Sequence, residues 1–251
     1  MKQQRWLILI VPFLLWLFSQ IFLRQAGFFY VALAFGTLLI IISLKFLTRL
    51  KPHKWLLFII APTLLFLSFS GLVAVLLNNV WIQSLIFLEV IFIFFYLRSV
   101  YYYFYFPAPL WRERLDHIIM ASGFLTIYAF AAVLFYLPAF LSFLPFIIPL
   151  VMMVVITLLF VQFNLFPRDN WQKNWRLIFV IVLILTELAW ALSLWPLVFN
   201  LLAMFLSLAY YLGLTIIRLA GRNNLNYRTL RLPLLLSVSI FLILFLTARW
   251  L

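Results

Sequence analysis

The chain has 251 residues, of which 69% are hydrophobic and only 9% charged. Soluble domains carry about 45–50% apolar and about 25% charged residues, so no soluble fold of this size hides this much apolar surface. The formal net charge of +13 would suit nucleic acid, but in a membrane chain it is first a topology signal.

The apolar residues come in long unbroken runs rather than alternating segments of about ten residues. A backbone inside lipid must satisfy its own hydrogen bonds, so these runs are helices. The expected fold is an all-α integral membrane protein, a polytopic bundle formed by a single transmembrane domain over residues 1–251. At about 20 residues per span, nine runs qualify: 6–23, 28–47, 55–77, 80–97, 118–137, 144–163, 177–195, 196–217 and 233–250. Eight spans is the alternative count.

The first run follows Lys2 and Arg5 and resembles a signal sequence. At about 18 residues it exceeds the usual apolar core of about 7–15, and no small-x-small cleavage site follows. It reads as a retained anchor. In the second run Ala32 and Gly36 have the small-xxx-small spacing that lets helices approach closely. The third opens at Trp55 and contains Pro62, which frees a backbone carbonyl. Asn78 and Asn79 make a tight turn into the fourth run, whose centre carries Glu89.

Residues 99–117, "SVYYYFYFPAPLWRERLDH", read as an interfacial ledge. Tyr and Trp favour headgroup depth, Pro107 and Pro109 interrupt any helix, and "LWRERLDH" suits a short interfacial helix. Arg112, Glu113, Arg114, Asp116 and His117 are its candidate partner- or lipid-binding groups. The simpler reading is an aromatic belt with a solvated, charged edge. The sixth run contains Pro145 and Pro149. The seventh carries Glu187, and Pro196 suits the first turn of the eighth, where Ala209 and Gly213 repeat the small-residue spacing. Gln83 and Asn200 fall near outer helix ends.

Placing the N-terminus in the cytoplasm puts 16 of the 18 lysines and arginines on the cytoplasmic side, leaving Arg24 and Arg249 outside. The positive-inside rule expects this bias, and a wrong span count would scramble it. The charge therefore orients the chain and attracts anionic lipid headgroups to its cytoplasmic face. Lipid is the expected partner, a protein partner in the membrane is open, and nucleic acid is not expected. The site is a cell membrane, plasma or inner, crossed many times.

Trp55 and Trp175, and Arg98 and Arg218, are each separated by 120 residues. Four spans per unit preserve orientation, so the spacing suggests parallel repeat units 1–117 and 118–232 followed by a final helix 233–250.

Much enzyme chemistry has no residues to carry it. There is no cysteine, no HExxH, no phosphate-binding glycine loop, and no histidine inside a span. Asp116 and Asp169 lie in loops, and the acids do not cluster as Mg²⁺ sites require. The outer loops hold no acid or histidine. No catalytic residue, metal or cofactor is assigned, and an enzyme is the less favoured class.

Glu89 and Glu187 are the acids inside spans, both near the midplane. An ionised group there costs a few kcal/mol or more, so the neutral acid is the expected form. Their i±3/4 neighbours are apolar: Leu85, Ile86, Phe92 and Ile93 around Glu89, and Leu183, Ile184, Trp190 and Ala191 around Glu187. The leading expectation is a small permease- or channel-like protein in which both acids bind a proton, cation or small ligand. The alternatives are a non-catalytic membrane scaffold and, after it, a lipid-modifying enzyme using 99–117.

Overall fold

The computed structural model describes residues 5–48, 55–106, 108–137, 147–165, 171–221 and 226–247. The loops between these stretches and the chain ends, with Pro107, Pro145 and Arg249, lie outside the described residues. Within them each apolar run becomes an α-helix: α1 Arg5–Arg24, α2 Phe29–Thr48, α3 Leu56–Val75, α4 Asn79–Tyr105, α5 Pro109–Tyr136, α6 Ile147–Leu165, α7 Trp171–Ser193, α8 Phe199–Gly221 and α9 Tyr227–Thr247. Eight of the helices are long and apolar enough to cross a membrane, while the apolar part of α6, Ile147–Phe163, is shorter. The chain is a polytopic all-α membrane bundle.

Two boundaries differ from expectation. Residues 99–117 are mostly helix rather than ledge: α4 runs on through the tyrosines to Tyr105, and α5 begins at Pro109. Proline suits that first helical position because its missing N–H would have had no partner there. "LWRERLDH" is the opening of α5, not a separate helix. The 27 residues of α4 span about 40 Å at about 1.5 Å per residue, about 10 Å beyond a hydrocarbon core of roughly 30 Å. Second, Pro196 lies in the connection before α8, which starts at Phe199.

The chain divides into two compact units, residues 1–126 and 127–251. In the first, α1 packs on α2, α2 on α3, α3 on α4, and α4 closes back on α1 and α2. Asn78 caps α4, its side chain accepting from the Val80 N–H at 2.9 Å. Two polar contacts tie α1 to α4. The Gln20 and Gln83 amides bond reciprocally at 2.8 and 3.3 Å, and Arg5 Nε donates to the Tyr101 hydroxyl at 3.3 Å.

Gly36 lets α2 and α3 come together. A Cβ there would collide with the ring of Phe66 and stand 3.1 Å from Leu15 Cδ2. Pro62 sits inside α3 and cannot donate to Phe58, four residues back. The Tyr96 hydroxyl of α4 donates to that Phe58 carbonyl at 2.8 Å.

In the second unit α7 packs between α6 and α8, and α9 packs on α8. A Cβ on Gly213 would stand 2.7 Å from Ile181 Cγ2, so this glycine serves the α7–α8 contact as Gly36 serves α2–α3. Phe160 of α6 packs on Tyr210 of α8, ring centres 5.0 Å apart. Among the described side chains of α9, Ser237 is the buried one, and the rest face outward or are half-buried.

Candidate functional site

The buried face of α4 reads Ile82, Ile86, Glu89, Ile93, Tyr96 and Val100, the i, i+3/i+4 stripe of a helix packed on one side. Glu89 is part of that stripe, with 2% of its surface exposed. Its Oε1 atom is buried and has no hydrogen-bond partner among the described residues. Such atoms are rare, because a buried polar atom without a partner keeps its full desolvation cost.

Two α1–α4 contacts fix the register around it. Between the Gln20–Gln83 and Arg5–Tyr101 contacts, Glu89 falls level with Leu15 of α1. Leu15 and Phe66 both approach Gly36, so this level of the unit brings together aliphatic, glycine and aromatic residues. Three buried hydroxyls of the unit are committed to their own helices. Ser19 donates to the Leu15 carbonyl at 3.0 Å, Ser43 to Ile40 at 2.8 Å and Ser68 to Leu65 at 2.9 Å.

Glu187 has a different environment. It is exposed on the outer face of α7, among exposed Leu183, Ile184 and Trp190, while Val182, Leu185, Ala189 and Leu192 form the packed face. It lies six residues before Ser193, about 9 Å from the helix end. Two apolar clefts of about 230 Å³ flank α7, one against α6 and one against α8 and α9. Glu187 is in the lining of neither.

The 99–117 candidates also separate. Arg112, Glu113, Arg114 and His117 are exposed, whereas Asp116 is buried. Glu113 and His117, four residues apart, share a face of α5. Among the described residues no group of three His, Cys, Asp or Glu side chains is placed to hold a metal ion. The sequence reading missed two features here: the Tyr96–Phe58 bond, for which Pro62 in a span was the available signal, and the stacking of Tyr102 on Trp111.

No family model, curated protein or solved structure matches the chain.

Proposed function

We propose that the chain is a small permease-like membrane protein whose working group is Glu89, a proton-binding carboxyl in the interior of the first unit. The observation that carries this reading is the buried Oε1 atom without a partner. An acid inside a membrane is costly, and its default explanation is functional. A proton is the ligand this carboxyl can hold unaided. A hard metal cation needs about six or more oxygens, and the neighbours of Glu89 on the buried face of α4, Ile86 and Ile93, are aliphatic. The experiment is proton flux in vesicles reconstituted with the wild type, Glu89→Gln and Glu187→Gln. Loss of flux in the first variant alone supports the reading, and equal flux in all three removes it.

A second reading rests on Glu187. A carboxyl on an exposed helix face at hydrocarbon depth favours a covering partner, so the chain would act as a membrane subunit that assembles through α7. Interhelical hydrogen bonds of this kind contribute about 0.6 kcal/mol on average. Glu187→Leu then weakens co-purification of a membrane partner, while Glu187→Gln, which still hydrogen-bonds, keeps it. Unchanged co-purification in both variants sinks this reading.

A further inference from the structure

Arg98, Tyr102, Trp111 and Arg114 form one stack where α4 ends and α5 begins. The rings of Tyr102 and Trp111 have centroids 4.2 Å apart and planes inclined by 10°. The Arg98 guanidinium carbon lies 5.7 Å from the Tyr102 ring centre, and that of Arg114 lies 4.8 Å from the Trp111 ring centre. Both arginines are exposed and both rings half-buried. A guanidinium laid against a ring keeps its N–H edge free, and that edge fits phosphate oxygens in a bidentate fork.

Helix length sets the depth of the stack. Arg98 stands 19 residues beyond Asn79, about 28 Å along α4. Arg114 stands 22 residues before Tyr136, about 33 Å along α5. Each distance is close to one hydrocarbon thickness of roughly 30 Å. With the far helix ends at one membrane surface, both arginines reach the headgroup layer of the other, where the abundant anions are lipid phosphates. Charge-based orientation requires basic residues on one side but no fixed guanidinium geometry. A stack that holds two arginines over two rings supplies that geometry. Glu113 is exposed beside Arg114 but turned about 100° around the helix, and Asp116 is buried.

We propose that the two arginines of this stack bind the phosphates of anionic phospholipids in the headgroup layer on the basic side of the membrane. The lipid chains run along the apolar outer surfaces of the helices, and each guanidinium edge holds a lipid phosphate. Attraction of anionic lipid to basic side chains is worth about a five-fold preference per residue, and here it depends on the rings as well as on the charges.

The test uses the full chain reconstituted into phosphatidylcholine vesicles containing phosphatidylglycerol, then extracted and weighed intact with its retained lipids. The wild type retains phosphatidylglycerol in preference to phosphatidylcholine. Arg98→Gln with Arg114→Gln loses about 25-fold of that preference, whereas Arg231→Gln on α9 changes it little. Trp111→Leu keeps both charges and loses the preference, while Trp111→Phe, which still stacks, keeps it. Inorganic phosphate leaves the retained lipid in place. Full retention in the double arginine variant overturns the proposal, as does full retention in Trp111→Leu, which would reduce the site to charge alone. Displacement by inorganic phosphate overturns the assignment to lipid. Should Trp111→Leu fail to fold, the double arginine variant, altered at exposed positions, decides alone.

Discussion

The Tyr96 hydroxyl donates to the Phe58 carbonyl at 2.8 Å, and Phe58 is the residue whose usual partner Pro62 has removed. A proline in a transmembrane helix leaves a carbonyl that another helix must satisfy, and here α4 does so for α3. Tyr96→Phe therefore removes this hydrogen bond and destabilises the chain by about 1 kcal/mol. In a Pro62→Ala background α3 regains its own N–H donor, so the same tyrosine change costs only a few tenths of that. A double-mutant cycle of thermal unfolding in detergent reads the coupling. Equal costs in the two backgrounds would show that the bond does not serve Pro62.

Gly36→Ala forces a methyl group into the ring of Phe66, which is itself fully buried. Overpacking of this kind costs about 1–3 kcal/mol. Adding Phe66→Leu makes room and recovers most of the loss. A melting temperature that Gly36→Ala leaves unchanged would mean α2 and α3 are not as close as Gly36 implies.

Glu89→Leu replaces an unpartnered buried acid with an apolar side chain of similar size. This variant gains about 1–3 kcal/mol of stability, the cost of leaving a polar atom unsatisfied, and loses function. Stability given up at a working site is a familiar pattern. Denaturation that shows Glu89→Leu to be less stable than wild type would mean the carboxyl has a structural partner after all.

The absence of native cysteine allows single introduced thiols to report topology. Leu77 and Ala108 are exposed in the connections at opposite ends of α4. Under the charge-based orientation, Leu77→Cys reacts with a membrane-impermeant reagent on intact cells, and Ala108→Cys reacts only after permeabilisation. The reverse pattern would invert the orientation.

The helices were legible because spans of about 20 apolar residues leave the backbone no other structure in lipid. The ends of α4 and α5 were not. Tyr101 to Tyr105 suit a headgroup belt as well as they suit a helix that continues into it, and hydropathy does not separate the two. Pro109 marked the start of α5, and the break before it is shorter than expected. Glu89 and Glu187 looked alike in sequence because lipid is as apolar as a packed core. Ile86 and Ile93 beside Glu89 turned out to be interior residues, and Leu183 and Ile184 near Glu187 turned out to be exposed. The close-packing glycines were legible from their spacing with Ala32 and Ala209. The partners Phe66 and Ile181 come from other helices, which a local pattern does not identify.

The most direct test of the central claim is proton flux into vesicles containing the purified chain, with Glu89 as the variable. The wild type conducts protons, Glu89→Gln loses that flux, and Glu187→Gln keeps it. Flux that persists in Glu89→Gln, or a wild type no more permeable to protons than empty vesicles, would contradict that claim.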